Sequence, residues 1–267
     1  MADQEPPAPA AQRPLAPTAI LGAALALYRR RWPTLLTIGA IGAPVAVSFP
    51  STRVLPGPGS GYQVIVHHRA VATAGTWADT ALVALAVLAA LLALAVVAGA
   101  LTRAALAAAG GEDAGVGRSY RFAIGRAWPL LQVLLLTWLA VTVGVVLLVL
   151  PGVVVGVLLA VAVPALVAEG GRGRAALARS WTLVGGRWWR TFGTILLTWL
   201  LVAVAVGLID WAVGRVGDGW LAQTVSLAIA VALTMPLGAL VAALLYLDLR
   251  DRPRPPAPGE GRRPSGP

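Results

Sequence analysis

The chain is 267 residues long, 58% hydrophobic and only 12% charged, against about 25% charged in an ordinary soluble domain. With 30 glycines added to the apolar set, too few polar side chains remain to coat a water-facing globule, which excludes a soluble enzyme. Cysteine is absent, so disulfide frameworks, thiol catalysis and Cys-ligated metals are excluded as well.

The net charge of +10 comes from arginine, with no lysine anywhere. A nucleic-acid domain would spread such charge over one soluble face, with aromatics placed to stack on bases. Here the arginines cluster between apolar runs, as they do at the ends of membrane spans.

The Pro-rich N-terminus, residues 1–14, is expected to be disordered. The apolar stretch Leu15 to Tyr28 is too short to span, and its basic cluster follows it, the reverse of a cleavable signal sequence. Uncharged runs then cover 32–52, 80–102, 127–168, 191–209 and 219–247. A span needs about 20 apolar residues, so four of these hold one each. The run 127–168 holds two, divided at Leu150-Pro151-Gly152, where Pro cannot continue a helix and Gly permits a turn.

Six spans are expected: 33–50, 80–104, 129–149, 152–168, 191–212 and 221–247. The fourth is short and contains Pro164, so it is either a full crossing or a re-entrant segment. The tail, 251–267, is again Pro- and Arg-rich and is expected to be disordered. With both termini inside, arginine counting puts Arg13, Arg29–Arg31, Arg103, Arg118, Arg121, Arg126, Arg172, Arg174, Arg179, Arg187, Arg190 and the C-terminal arginines in the cytoplasm. Only Arg53, Arg69 and Arg215 fall outside.

An internal repeat underlies this order. Residues 118–139 and 179–200 match without gaps at an offset of 61, with 10 of 22 positions identical. The identities include Arg118/Arg179, Ser119/Ser180, Arg126/Arg187, Trp128/Trp189 and the Leu-Leu-Thr-Trp-Leu block at 135–139/196–200. Arg30, Trp32, Pro33 and Leu35 echo Arg126, Trp128, Pro129 and Leu131 at an offset of 96.

The repeating unit is an amphipathic segment, an Arg-x-Trp junction and two spans. The units run about 15–106, 114–168 and 172–247. Two spans per unit make the repeat parallel, and a pseudo-threefold arrangement follows as a hypothesis. In the third amphipathic segment, Leu177, Trp181, Val184 and Trp188 fall within about 60° on a helical wheel. Arg172, Arg179 and Arg190 lie opposite. Such a helix either lies in the headgroup plane or packs on the bundle as a short cytoplasmic helix.

Several motifs carry a family resemblance: Pro164-Ala-Leu-Val-Ala-Glu169, Ala176-Leu-Ala-Arg-Ser-Trp181, Trp188-Trp-Arg190, the opening Tyr28-Arg-Arg-Arg-Trp-Pro33 and the closing Leu245-Tyr-Leu-Asp-Leu-Arg250. Over about 18–252 the chain resembles the glycerophosphoryl diester phosphodiesterase membrane domain family. The resemblance implies an all-α polytopic bundle. In some relatives that module is fused to a barrel-type catalytic domain, which takes about 250 residues. Six spans use nearly the whole chain, so no catalytic domain and no catalytic residue are expected here.

Candidate sites are few. Arg118, Arg121, Arg126, Arg172, Arg179, Arg187 and Arg190 recur at the cytoplasmic junctions and are candidate contacts for anionic lipid headgroups. Asp210, beside Trp211 near the outer end of the fifth span, is either an intramembrane polar site or an interfacial residue of the aromatic belt. Glu169 is expected to pair with an arginine of the following helix, such as Arg172 or Arg174, or to cap that helix. His67 and His68, in an outer loop (51–79) with a strand-like patch at Tyr62–Val66, make a poor chelate. Gly152-x-x-x-Gly156 fits close helix packing.

No cofactor or metal is expected. The sequence points to a non-enzymatic protein of the bacterial cytoplasmic membrane that binds lipid or a membrane-protein partner, itself included as a homo-oligomer, and no nucleic acid. The alternative is a small carrier for lipid-like or amphiphilic substrates.

Overall fold

The computed structural model describes residues 16–56, 62–66, 69–74, 77–217 and 219–251. Among them are ten α-helices: α1 (Pro17–Arg30), α2 (Trp32–Ser51), α3 (Trp77–Ala109), α4 (Val116–Gly125), α5 (Ala127–Leu147), α6 (Val149–Leu158), α7 (Ala162–Glu169), α8 (Gly173–Val184), α9 (Trp188–Gly214) and α10 (Trp220–Arg250). Between α2 and α3 lies a small antiparallel sheet in the order β1 (Thr52–Pro56), β2 (Tyr62–Val66), β3 (Arg69–Ala74). The strand-like patch is thus the central strand. His67, His68 and both terminal segments expected to be disordered lie outside the described residues.

Five stretches are long and apolar enough to cross a membrane: Ala81–Ala109, Ala127–Leu147, Val149–Glu169, Gly173–Gly214 and Leu221–Arg250. The fourth of these joins α8 to α9. Helix α2 is 20 residues long, about 30 Å at 1.5 Å per residue.

The α5–α6 turn falls earlier than its proline and glycine suggest. The chain breaks at Leu148, which is extended at φ −168° and ψ 139°. Pro151 instead occupies the first turn of α6, where no intrahelical N–H is required. Gly152 serves packing: a Cβ there would lie 2.3 Å from the Val145 side chain and 2.7 Å from its backbone nitrogen. Gly156 makes no such approach, so only the first glycine of the Gly152-x-x-x-Gly156 pair is a close contact.

The fourth expected span is a broken helix. Pro164 has no N–H for the carbonyl of Ala160 and disfavours helical backbone just before it. The chain tightens to i→i−3 bonds at Ala160 and Ala162, separating α6 from α7. Irregular backbone at membrane depth is tolerated when buried in protein. Val161 and Ala162 are fully buried, and Ser180 of α8 donates to the Leu158 carbonyl at 2.7 Å.

Helices α3, α7 and α10 touch one another in the middle of the bundle. Their shared core is alanine-rich, with Ala100, Ala104 and Ala105 of α3, Ala162 and Ala165 of α7 and Ala243 of α10 all buried in it. Lipid tails are as apolar as the helices, so association relies on close packing, which small residues permit. The short helices dock around this centre in a cycle: α1 on α9 and α10, α4 on α2 and α3, α8 on α5 and α7.

Helix α2 meets α10 at a notch. Pro236 deprives the Ala232 carbonyl of its intrahelical donor. Gly39 sits against that carbonyl, and a Cβ at Gly39 would lie 2.6 Å from it.

Candidate functional site

Each short helix joins the long one after it through a bend that contains an arginine. Arg31, between α1 and α2, has φ −119° and ψ 22°. Arg126, between α4 and α5, has φ −121° and ψ 21°. Arg187, closing the 3-10 turn between α8 and α9, has φ −141° and ψ 31°. A tryptophan stands exposed directly or two residues after each bend: Trp32 at 55%, Trp128 at 67% and Trp189 at 78%. An arginine at a bend followed by an exposed indole on an apolar helix has the chemistry of a membrane-interface anchor.

The three bends lie at one end of the bundle, tied there by polar contacts. Arg31 pairs with Asp113 at 3.3 Å and donates to the Gly111 carbonyl. Arg118 donates to the Asp113 carbonyl at 2.6 Å. Arg103 and Arg126 both stack on the Phe122 ring, 4.4 and 4.9 Å from its centroid. Arg126 also lies close to Gly170, the left-handed residue (φ +73°) that ends α7. Cations are favoured at that carbonyl-rich helix end. Tyr120 anchors α4 by donating to the Ile38 carbonyl at 3.0 Å, and burial pushes its phenol pKa up.

Glu169 pairs with an arginine of the following helix, as expected, but the arginine is Arg179 rather than Arg172 or Arg174. Its Oε1 accepts from Arg179 Nε and from the Tyr246 hydroxyl, both at 2.8 Å. Arg179 lies five residues beyond Arg174, and the turn at Gly170 aims the helix so that its side chain reaches back. Tyr246 is fully buried, and a buried phenol requires such an acceptor. Close by in sequence, Arg190 of α9 pairs with the buried Asp248 of α10 at 2.9 Å. Glu169, Arg179, Arg190, Tyr246 and Asp248 therefore bring together four separate sequence motifs. Tyr246 and Asp248 were not legible as partners, because nothing local in sequence indicates which helix faces α10.

Of the seven candidate headgroup arginines, Arg179 and Arg190 engage carboxylates, Arg118 holds a backbone carbonyl and Arg126 stacks on Phe122. Arg121 and Arg172 are exposed, and Arg187 occupies the third bend. The inward face of α8 keeps much of the expected apolar stripe, with Val184 buried and Leu177 and Trp188 packed against the core. Gly173, Ala176, Ser180 and Val184 are buried, Trp181 is half exposed, and Trp188 belongs to α9. Small side chains let α8 approach the break in the α6–α7 helix, which a tryptophan would prevent.

At the opposite end, Asp210 accepts a hydrogen bond from the buried Ser226 hydroxyl. Both line a cavity of about 480 Å³ with Gln223 and Gly214. Arg215 is turned onto the Trp211 ring, 4.6 Å from its centroid. Among the described residues, no group of three His, Asp or Glu side chains is placed to hold a metal ion.

The fold and this polar end define a multi-pass helical membrane protein. The chain matches no family model, no curated protein and no solved structure.

Proposed function

We propose that the chain is a non-enzymatic protein of the bacterial cytoplasmic membrane, crossing it six times with both termini inside. It binds anionic lipid headgroups, or a protein partner, through its basic elbows. The observation that carries this reading is the threefold recurrence of an arginine bend followed by an exposed tryptophan. Helix α2 supplies the sixth span by its length. The cyclic docking of α1, α4 and α8 supports three parallel units, each elbow helix resting on the spans of the unit before it. The resemblance to the phosphodiesterase membrane domain family rests on the sequence motifs that carry Glu169, Arg179, Tyr246 and Asp248.

Orientation is tested with single cysteines, since none is native. In intact cells, Ser60→Cys is expected to react with an impermeant thiol reagent. Cysteine at the exposed Thr182 is expected to react only after lysis. The reverse pattern overturns the topology.

Headgroup binding is tested with Arg126→Gln/Arg187→Gln, which removes two elbow charges and leaves the Glu169 and Asp248 pairs intact. Each arginine near an anionic leaflet contributes about 1 kcal/mol, so the variant should retain phosphatidylglycerol and cardiolipin about 30-fold more weakly. Mass spectrometry of lipids retained through detergent purification reads this out. Equal retention would reduce these arginines to topology signals and shift the weight to the carrier reading, which the Asp210 cavity favours.

A further inference from the structure

Between the α5–α6 hairpin and the α9–α10 pair lies an apolar cavity of about 680 Å³. Val153 and Gly156 of α6, Phe192 and Trp199 of α9, and Gly238 and Leu245 of α10 line it. Two of its glycines serve volume rather than packing. A Cβ at Gly238 would meet nothing within 4 Å, and one at Gly156 would meet only a Val141 methyl at 3.7 Å. Trp199 and Val153 are exposed, so the cavity opens sideways, toward hydrocarbon in a membrane.

Its elbow end is polar. Trp188 stacks on Phe192, with centroids 5.1 Å apart and planes 7° from parallel. Arg187 immediately precedes Trp188 at the bend. The Arg190–Asp248 pair joins α9 to α10 less than one turn beyond Phe192 and Leu245. From Phe192 to Trp199 is two helical turns, about 10 Å. That reaches from the elbow end toward the middle of a hydrocarbon layer about 30 Å thick.

We infer that this cavity holds one acyl chain of a phospholipid whose headgroup lies at the elbow end. An apolar slot of single-leaflet depth, open to the lipid and beginning five residues past the bend at Arg187, matches the chain of such a molecule with its headgroup at the interface. The inference rests on the proposed orientation, which places the elbow end at the anionic leaflet.

The test uses wild-type protein in phosphatidylethanolamine vesicles doped with a phosphatidylglycerol that carries a diazirine at mid-chain. After irradiation, label is expected to concentrate on the peptides holding Phe192–Trp199 and Gly238–Leu245. Label spread over all lipid-facing helices in proportion to their exposure overturns the site, whatever the elbow arginines do to headgroup retention. Gly238→Phe fills the cavity and should lower labelling of these peptides about tenfold, because several methylene contacts are displaced. Gly238→Ala should leave it unchanged. Undiminished labelling in a monodisperse Gly238→Phe protein also overturns it. If the arginine double variant loses lipid while label never concentrates, the headgroup reading stands and the acyl site falls.

Discussion

Replacing Gly39 with leucine is expected to abolish the monodisperse folded protein. The Ala232 carbonyl lies where the new Cβ would be, at 2.6 Å, and Pro236 holds its own ring 3.0 Å away. Neither neighbour is the end of a flexible chain, so α2 must move off α10 as a body. Overpacking in a well-packed core typically costs about 1–3 kcal/mol, and backbone cannot yield as side chains do, so the cost should reach about 3 kcal/mol or more. Gly193→Leu on α9 is the control, because a Cβ there meets nothing within 4 Å. Size-exclusion profiles of fluorescently tagged variants compare the two. A Gly39→Leu profile identical to wild type would overturn the close approach of α2 and α10.

Asp248→Ala should be nearly as damaging. Its carboxylate is 6% exposed and pairs with Arg190, itself largely covered. Removing one partner of a buried ion pair strands the other charge, at a cost of about 3–5 kcal/mol. For a chain of this size that corresponds to a fall in apparent Tm of about 10 °C. The double variant Arg190→Met/Asp248→Leu should recover most of the loss, since paired apolar replacement is often neutral. An unshifted Tm in Asp248→Ala would show that the pair contributes nothing to stability. Arg179→Gln, by contrast, breaks a more exposed pair with Glu169 and should cost less than about 1 kcal/mol.

Much of the helix order was legible in one dimension. Uncharged runs and flanking arginines place apolar helices at 80–104, 129–149, 152–168, 191–212 and 221–247, because crossing hydrocarbon demands about 20 residues without charge. The match of residues 118–139 to 179–200 likewise anticipated that Arg126 and Arg187 share a role. Both are bends with nearly the same backbone geometry.

Composition, span lengths and the positions of the elbow arginines were determined by the sequence itself, since each follows from local polarity and chain length. Partners were decided only by the tertiary structure. Glu169 chose Arg179 and Tyr246 over nearer arginines because the left-handed turn at Gly170 aims α8 back across α7. Ser180, one polar residue among many in sequence, proved to be buried because Pro164 breaks a helix elsewhere and leaves the Leu158 carbonyl for it. Gly39 reads as one glycine among 30 until α10 brings a proline-freed carbonyl against it. In a membrane every segment is apolar, so hydrophobic patterning cannot say which helix faces which. Shape and the few unsatisfied polar groups decide that, and both exist only once the helices have come together.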